Sequence, residues 1–472
     1  MELTPLATIA RAVSGTVGTG DAAALIGPDV VIDSRLATPG SLFVALPGER
    51  VDGHDFVARA ASAGAAAAIV SRTTGAPLAE IVVDDPLTAL ADLARVQVAA
   101  ARSHGLRVAA ITGSAGKTST KDLLAQVLEA VGETVAPRGS FNNEIGTPLT
   151  ALKVTNKTRF LVAEMGARGP GHIRSLTGIV PPDVGVVCNV GTAHLGEFGS
   201  VEAIAGAKGE LVEAVPADGW AVLNADDPRV LAMASRTPAQ VLLVSAVGDP
   251  GGEHAVWAEG VRPDDRERYE FSLHATGQAT QHVQLQVTGR HMVLNALCAA
   301  GAACALGLPL DAVATALSAA TPRSPWRMEV RDRRDGVTVV NDAYNANPES
   351  TRAALDTVAR MVDIRRTTVP DAKLFVVLGD MLELGEDTAD QHTSIGRYAA
   401  QSGAVLVLAV GAEAQHVVSG ASALGVDALR LTDKSQALGQ LSGLLPGDVV
   451  LVKASRGVGL ESVAADLLGA PC

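Results

Sequence analysis

Short apolar runs that end in polar residues recur through the middle of the chain and alternate with stretches of helical periodicity. These runs read RVAAIT, RFLVAEMG, VGVVCNVG and WAVLNADDP. The alternation predicts parallel strands joined by crossover helices, an arrangement in which ligands gather at the carboxyl ends of the strands. Between residues 252 and 290, apolar and polar residues alternate around a glycine-containing turn, which predicts a hairpin in an antiparallel side-sheet.

The two ends of the chain have patterns of predicted strands and helices that separate them from this middle region. Residues 1–85 combine short strand-like runs with VARAASAGAAAAIV, which we predict to be helical, and form a small α/β unit. From residue 321, strand and helix alternate again in GVTVVNDAYN, KLFVVLGDM, AVLVLAVG and DVVLVKASRG, which predicts a second, Rossmann-like sheet. We therefore predict an α/β protein with three domains, at residues 1–85, 86–320 and 321–472.

The composition is that of a folded globular protein rather than a disordered one. Apolar residues make up 47% of the 472 positions and charged residues 19%. There are 38 basic and 51 acidic residues, which gives a net charge of −13, and no basic block occurs along the chain. Nucleic acid is therefore not an expected partner.

Cysteine usage and the long apolar run argue against export and membrane insertion. The start, MELTPLATIARAVSG, lacks the basic residues and apolar core of a signal peptide. The uncharged run at 292–310 is broken by Asn295 and Pro309, which favours a buried helix and its loop over a membrane span. The cysteines form no C-x-x-C pair, so neither a disulfide framework nor a zinc site is indicated and a reducing cytoplasm fits best; they are Cys188, Cys298, Cys304 and Cys472.

The stretch AAITGSAGKTSTKD at 109–122 has the marks of a phosphate cradle with unusual spacing. A P-loop reads G-x-x-x-x-G-K-[ST], but Ile111 stands where its first glycine would be, and the segment keeps a shorter G-x-x-G-K-T from Gly113 to Thr118. A strand precedes this turn, and a helix with an apolar face follows and ends near Gly132. Backbone N–H groups and Lys117 would face the phosphates of a nucleoside triphosphate, and Thr118 would bind Mg²⁺.

Hard oxygen ligands for a metal are expected near that cradle. Glu164 ends the strand in RFLVAEMG, and His194 follows another strand in VCNVGTAHLGEFGS. Each has an ordinary alternative, a surface salt bridge for the glutamate and a structural role for the histidine. Asn142 and Asn143 in SFNNEIGTP could bind a phosphate or substrate, or could cap a turn.

Lys208 lies on the apolar stripe of a predicted helix. Ser200 is placed to cap that helix, and apolar residues recur at 201, 204, 211 and 215. A lysine turned toward a core is costly unless it is paired or neutral, since burial lowers its pKa. The alternative is a lysine that runs along the surface and keeps its ammonium in water.

Seven motifs in this order resemble the Mur ligase superfamily of ATP-dependent, amide-forming cell-wall enzymes, which uses the shortened cradle. They are TGSAGKT, FNNEIGTP, AEMGARGPGHI, NVGTAHLGEFGS, AKGELV, NADDP and NDAYNANPES. Within the superfamily, the segments at 341–350 and 378–385 resemble the branch that joins D-alanyl-D-alanine to UDP-N-acetylmuramoyl-tripeptide. The branch that adds the third amino acid usually carries DYAH and DNPR segments, and neither occurs here.

The resemblance implies roles for matching residues. Those of the shortened cradle would hold the ATP phosphates: Gly113, Ser114, Ala115, Gly116, Lys117, Thr118 and Ser119. Thr118 and Glu164 would bind one Mg²⁺, and His194 with a carbamylated Lys208 a second, so that Lys117, Lys208 and His194 carry the catalysis. Further nucleotide contacts would be Asn295, Arg327 and Asp342.

The substrate-binding residues implied by the resemblance come from all three predicted domains. The UDP-sugar region of the first domain would contain Ser34, Arg35, Asp52 and His54, and Asn142 and Asn143 would add substrate contacts. Lys453, Ser455 and Arg456 would position the peptide or the incoming dipeptide. Ala115 stands where the superfamily commonly has asparagine or another residue, and Ala454 where it often has glycine, but both are small enough to keep the loop shapes.

The resemblance also implies the reaction and the state of the protein. The enzyme would move the γ-phosphate of ATP to the tripeptide carboxylate and would then let the amine of D-alanyl-D-alanine displace phosphate. It would act as a monomer. Two alternatives stay open: a folylpolyglutamate type of ligase, in which the first region's DSR and PGERVDGHDF have no place, and a P-loop protein that binds nucleotide without ligating anything.

Overall fold

The computed structural model describes residues 1–48, 51–191 and 195–469. The fold is mixed α/β, with mostly parallel sheets, as the alternating pattern predicts. The predicted strands RVAAIT, RFLVAEMG, VGVVCNVG and WAVLNADDP are confirmed at Arg107–Thr112, Phe160–Glu164, Val184–Val187 and Trp220–Asn224. Their carboxyl ends meet at one edge of the central sheet, because all pair in parallel.

The first region forms a sheet in the order β2-β7-β6-β5-β4 beside a short β1-β3 pair. β2 is antiparallel to β7, and the others are parallel. Its elements are β1 (Thr4–Pro5), α1 (Leu6–Ala12), β2 (Thr16–Thr19), β3 (Leu25–Ile26), β4 (Val30–Val31), β5 (Leu42–Val44), α2 (Val57–Ser62), β6 (Ala67–Val70) and β7 (Ala79–Val82).

The helix predicted for VARAASAGAAAAIV is wrong in its second half. The helix ends at Ser62, and Ala67–Val70 is strand β6. Gly64 takes φ +107° between them, a left-handed conformation that ends a helix. The alanine-rich run becomes a strand because β5 and β7 flank it and all four of its residues are fully buried, so small side chains fit both faces.

The central sheet has the order β16-β15-β14-β13-β12-β11-β8-β10-β9. Its strands are β8 (Arg107–Thr112), β9 (Thr134–Val135), β10 (Phe160–Glu164), β11 (Val184–Val187), β12 (Trp220–Asn224), β13 (Gln240–Ser245), β14 (Ala255–Pro263), β15 (Arg268–Ala275) and β16 (Gln281–Thr288). Its helices are α3 (Pro86–Arg102), α4 (Lys117–Glu129), α5 (Gly146–Ala151), α6 (His172–Ile179), α7 (Leu195–Phe198), α8 (Val201–Glu213), α9 (Pro228–Leu231), α10 (His291–Ala305) and α11 (Leu310–Ala319).

The predicted hairpin is confirmed as β15 and β16, but it is not a side-sheet. β14 pairs in parallel with β13 and antiparallel with β15, so the hairpin continues the central sheet. The uncharged run at 292–310 is the buried helix α10 with its loop, as expected. Among the described residues, no helix is long and apolar enough to cross a membrane.

Alternate residues of β8 pack into different cores, as its period of two requires. Ala109 and Ile111 join the core under α4 and α10. Val108 and Ala110 join a core that also contains Leu6 and residues of the first sheet. The central sheet and the first region therefore share one continuous core.

The third region forms a sheet in the order β17-β18-β22-β19-β20-β21, parallel except at β17. Its elements are β17 (Glu329–Asp332), β18 (Thr338–Asp342), α12 (Pro348–Arg366), β19 (Leu374–Gly379), α13 (Thr388–Gln401), β20 (Ala404–Val410), α14 (Ala414–Ser422), β21 (Asp427–Leu431), α15 (Ala437–Gln440), β22 (Val449–Lys453) and α16 (Glu461–Leu468). Short 3-10 helices lie at Ser34–Leu36, Gly53–Phe56, Ala232–Arg236, Gly385–Asp387, Lys434–Gln436 and Arg456–Val458.

Candidate active site

A cavity of about 1820 Å³ lies where the carboxyl ends of β8, β10 and β11 face the loops that follow β18 and β22. Most of the predicted site residues line it: Ser114, Ala115, Gly116, Lys117, Thr118, Ser119, Asn142, Asn143, Glu164, Lys208, Asn295, Arg327, Asp342, Lys453, Ser455 and Arg456. Gly113, Ser34, Arg35, Asp52 and His54 are not part of its wall. His194 lies outside the described residues.

The cradle turns sharply into α4, which begins at Lys117. Gly116 caps this helix with φ +80°, a left-handed conformation that glycine adopts without steric cost. A Cβ at this position would also collide with the side-chain oxygen of Asn295, which is buried on α10. The second glycine of the motif is therefore required by both backbone and packing.

Asn189, which was not among the predicted site residues, holds the cradle residues Ser114 and Ala115 by hydrogen bonds. Its backbone oxygen accepts from Ser114 N at 3.1 Å, and its side chain exchanges hydrogen bonds with the backbone of Ala115 at 2.8 and 3.1 Å. The N–H groups of Ser114 and Ala115 are thus taken within the protein. The backbone N–H groups of Lys117, Thr118 and Ser119 lie in the first helical turn, have no partner within the helix and can bind an anion.

Lys117 and Thr118 point toward the cavity with partners from different parts of the chain. Lys117 Nζ donates to the carbonyl oxygen of Gly113 at 2.7 Å, and burial lowers the pKa of its ammonium although Glu164 acts in the opposite direction. Thr118 Oγ1 accepts from Arg327 Nη2 at 3.0 Å. The Arg327 guanidinium lies 4.0 Å from the ring centre of Tyr344, which holds it over the cradle.

Glu164 ends β10 beside the cradle, because the β10–β8 register pairs it with Ile111. Its side chain is 1% exposed. Oε1 accepts from Asn142 Nδ2 at 2.8 Å, whereas the buried Oε2 has no hydrogen-bond partner within the described part of the chain. A carboxylate oxygen left in this state fits a metal ligand, since a buried charge otherwise needs a partner.

Lys208 lies on the buried face of α8, as its position on the apolar stripe predicts. The Ser200 side chain caps this helix by accepting from Ala203 N at 3.1 Å, so the predicted cap is confirmed. Lys208 is 4% exposed and makes no ion pair with any residue in 1–48, 51–191 or 195–469. Burial, reinforced by the charge of Lys117, lowers its pKa to about 7.

Lys453 and Asp342 form an ion pair at the edge of the third sheet. The β18–β22 register places them side by side, and Lys453 Nζ lies 2.5 Å from Asp342 Oδ2 and 2.9 Å from the Asn345 oxygen. The other Asp342 oxygen accepts from Met328 N at 3.0 Å. Lys453 is 2% exposed, so its ammonium holds this loop, and its predicted contact with the peptide stays a prediction.

Aromatic and cationic side chains of the third region stack on each other in the cavity wall. The Arg456 guanidinium lies 5.7 Å from the Trp326 ring centre and 5.3 Å from that of Tyr344. The Tyr344 hydroxyl also hydrogen-bonds Ser140 Oγ in the central region. Ser455 is buried, and its hydroxyl accepts from Leu382 N at 3.0 Å.

The four candidates of the first region are engaged in local contacts. Asp52 pairs with both His54 Nδ1 at 2.6 Å and Arg72 at 2.8 Å, and His54 Nε2 accepts from Ser71 N at 2.9 Å, so the histidine ring is fully used. Arg35 is bound to Asp33, and Ser34 is buried. That these four residues bind substrate stays a prediction. The residues of the first region that do line the cavity are Asp29, Val30, Val31, Ile32, Asp33 and Leu36.

Sequence models of one family match three stretches of the chain. They are described as Mur ligase family, catalytic domain, at residues 29–98; Mur ligase middle domain at 111–303; and Mur ligase, glutamate ligase domain, at 326–456. The last two cover the cradle and the β18–β22 loops, respectively.

Relatives and solved structures of this family resemble the chain over almost its whole length. The UDP-N-acetylmuramoyl-tripeptide--D-alanyl-D-alanine ligase of Mycobacterium tuberculosis (strain ATCC 25618 / H37Rv) is 47% identical over 92% of this chain and 91% of its own. The ligase of the same name from Escherichia coli (strain K12) is 34% identical over 92% of each.

Two crystal structures show the same architecture. MurF from Acinetobacter baumannii (crystal structure I) matches with a TM-score of 0.86 and 31% identity over 99% of this chain and 100% of its own. MurF from Thermotoga maritima in complex with ADP matches with a TM-score of 0.77 and 30% identity, over 93% and 96%. The predicted three-domain α/β fold is thereby confirmed, and the chain belongs to the MurF type of the Mur ligase family.

Proposed function

We propose that the protein is an ATP-dependent ligase that joins D-alanyl-D-alanine to UDP-N-acetylmuramoyl-tripeptide, the last step in making the pentapeptide precursor of peptidoglycan. The observation that carries this proposal is the shared cavity: it brings together the phosphate cradle, the buried Glu164 carboxylate and the buried Lys208 under loops of the third region. A protein that only binds nucleotide would need no such convergence. The near full-length identity to ligases of this name supports the same conclusion.

ATP would bind with its phosphates at the first turn of α4. The free N–H groups of Lys117, Thr118 and Ser119 and the positive end of the helix favour an anion there. The Lys117 ammonium, bonded to the Gly113 oxygen within the cradle, would stabilise the charge of the transferring phosphoryl group. Asn295, Arg327 and Asp342 would hold the rest of the nucleotide, with Asp342 kept in place by Lys453.

Two Mg²⁺ sites complete the proposal. Thr118 and Glu164 would hold one ion, and the buried Oε2 of Glu164, which has no hydrogen-bond partner among the residues that the structure describes, fits that role. His194 and a carbamylated Lys208 would hold the other. Bound Mg²⁺ would neutralise phosphate charge during transfer.

The carbamate on Lys208 is supported by the surroundings of this amine. A neutral lysine amine adds CO₂ and loses a proton, which replaces a cation by an anion with two hard oxygens. Because Lys208 is buried, lacks an ion pair in the described part of the chain and has a pKa near 7, its neutral form is accessible at physiological pH. An unmodified ammonium there would repel a metal ion.

The reaction consists of two displacements. A carboxylate oxygen of the tripeptide attacks the γ-phosphorus, and the bond from that phosphorus to the ADP oxygen breaks. The amine nitrogen of D-alanyl-D-alanine then attacks the acyl carbon, loses a proton, and phosphate leaves with the carbon–oxygen bond electrons. The first displacement forms an acyl phosphate, which water would hydrolyse. The third region would therefore have to cover the cavity during turnover.

The surroundings of the reaction are part of the same proposal. We expect a cytoplasmic monomer, as the resemblance to the Mur ligases implies. The domain limits 1–85, 86–320 and 321–472 stay predictions, with the UDP-sugar part of the substrate on the first domain.

Substrate-dependent ATP turnover tests the proposal. Purified protein should release ADP slowly until both UDP-N-acetylmuramoyl-tripeptide and D-alanyl-D-alanine are present, because the phosphoryl group goes to a carboxylate and not to water. Mass analysis should then show tripeptide plus dipeptide minus one water, for precursors with lysine or diaminopimelate in third place. Full ATP turnover without either substrate would refute a ligase.

Lys117→Ala should lower the rate of amide formation by roughly 10³-fold, because it removes a charge that stabilises the transferring phosphoryl group.

A further inference from the structure

Asn142 is bonded to one oxygen of Glu164, and the other oxygen has no hydrogen-bond partner in the described part of the chain. Asn142 Nδ2 lies 2.8 Å from Glu164 Oε1, across 22 positions of sequence. The amide must present its nitrogen to this carboxylate, because an ionised carboxylate only accepts hydrogen bonds. With Oε1 occupied in this way, Oε2 is the oxygen that remains for a ligand.

A second contact fixes Asn142 from the backbone. Gly166, two residues beyond Glu164, donates its N–H to the Asn142 carbonyl oxygen at 2.8 Å. A Cβ on Gly166 would lie 3.0 Å from Asn142 Oδ1, so the missing side chain provides the space for the amide. The loop that carries Asn142 is thus attached to the end of β10 by both its main chain and its side chain.

The neighbouring asparagine has a different function. Asn143 Oδ1 accepts from Gly146 N at 2.9 Å and forms the turn into α5, and its side chain is exposed. No hydrogen bond between Asn143 and Glu164 occurs in the described part of the chain, so removing the Asn143 amide leaves the Asn142–Glu164 hydrogen bond in place. This makes Asn143 a matched control.

We propose that Asn142 is a positioning residue that orients the Glu164 carboxylate for Mg²⁺, instead of a contact to substrate. The proposal rests on the metal role given to Glu164 in the proposed function. Groups that hold a metal ligand in orientation are worth about 10- to 100-fold in metal affinity or activity. Without the amide, the Glu164 carboxylate would lose the hydrogen bond that fixes its direction.

Metal affinity can be measured without turnover. Mn²⁺, a spectroscopic substitute for Mg²⁺, would be titrated into full-length protein saturated with a non-hydrolysable ATP analogue, and bound metal followed by electron paramagnetic resonance. Glu164→Gln identifies the site that depends on this carboxylate. Asn142→Ala should weaken Mn²⁺ at that site by about 10- to 100-fold, while Asn143→Ala should leave Mn²⁺ affinity unchanged.

A double variant distinguishes action through Glu164 from an independent role. If Asn142 acts through Glu164, Asn142→Ala combined with Glu164→Gln should bind Mn²⁺ as Glu164→Gln does alone. Additive losses, or Asn142→Ala affinity within twofold of wild type, would overturn the proposal. Asn142→Leu fills the same volume without a donor and takes the place of the alanine variant if the latter does not fold.

The two proposals can fail separately. Wild-type protein that binds Mn²⁺ in this way but forms no amide product would remove the proposed function and leave the positioning role intact. Wild-type protein that makes the product while Asn142→Ala keeps its Mn²⁺ affinity would remove only the positioning role.

Discussion

Lys208 shows how much a single side chain depends on its neighbours in the helix. Its position on the apolar stripe of α8 turns the amine into the protein, where it is 4% exposed and its pKa falls to about 7. The same amine on the opposite face would be an ordinary surface cation. Burial is thus the step that makes a lysine available for reaction with CO₂.

Lys208→Ala should lower ligase activity on the order of 10²-fold or more, since it removes the amine that would carry the metal-binding carbamate. Short-chain carboxylic acids such as formate or acetate should restore part of the loss by supplying carboxylate oxygens in the vacated space. The measurement is the rate of amide product with increasing acid concentration. Lys208→Arg is the matched variant: it retains a cation that forms no carbamate, and near-normal activity of this variant would contradict the carbamate.

At the scale of elements, parallel strand pairing creates the contact between Asp342 and Lys453. The two residues are 111 positions apart, yet both are the last residues of neighbouring parallel strands, so they leave the sheet side by side. The Lys453 ammonium then holds the Asp342 carboxylate and the Asn345 oxygen together. The loop between β18 and α12 is therefore anchored at the edge of the cavity.

Lys453→Met should destabilise the third region by about 3 kcal/mol, because it leaves the Asp342 carboxylate without its cation in a largely buried place. Calorimetric unfolding would measure the loss, and binding of a nucleotide analogue should weaken as well. Lys373→Met, at an exposed position just before β19, is the control and should change stability by less than about 0.5 kcal/mol. If Lys453→Met with Asp342→Asn is no more stable than Lys453→Met alone, the unpaired charge is not the cause.

At the scale of the whole molecule, buried and exposed ion pairs join the central and third regions. Glu267 precedes β15, is fully buried, and its Oε2 accepts from Tyr269 at 2.7 Å and from Arg360 of α12 at 2.9 Å. Burial and this hydrogen bond raise the pKa of Tyr269 to about 12. Arg266 reaches Asp332 of β17 at 2.7 Å beside them. The position of the third region over the cradle thus depends partly on ion pairs that lie outside the cavity wall.

Arg360→Met should cost about 2 kcal/mol, the value of a hydrogen bond to a charged group, and should loosen the third region. Limited proteolysis within residues 320–325, between α11 and β17, should become faster, and a bound nucleotide analogue should reverse part of the effect. Arg366→Met is the control, because Arg366 pairs with Asp363 on its own helix and cannot join two regions. Equal cleavage rates for Arg360→Met and wild type would rule out this anchoring role.

Local patterns in the sequence determined much of the fold and the centre of the site. The cradle, the strands that end at it, the Ser200 cap and the place of Lys208 on the apolar stripe of its helix depend on residues within one or two turns of each other. Glycine spacing, helical periodicity and capping act over such short distances, so these features can be predicted without knowing the rest of the chain.

Tertiary structure decided the features that depend on distant partners. The alanine run at Ala67–Val70 is a strand only because β5 and β7 lie beside it, and the hairpin joins the central sheet only because β13 offers an edge to β14. Residues 22 to 111 positions apart are joined by the Asn189–Ala115 hydrogen bond, the Asn142–Glu164 hydrogen bond and the Lys453–Asp342 ion pair. Strand order and register bring such residues together, and both are set by the burial of whole faces of the sheets, which no local stretch of sequence specifies.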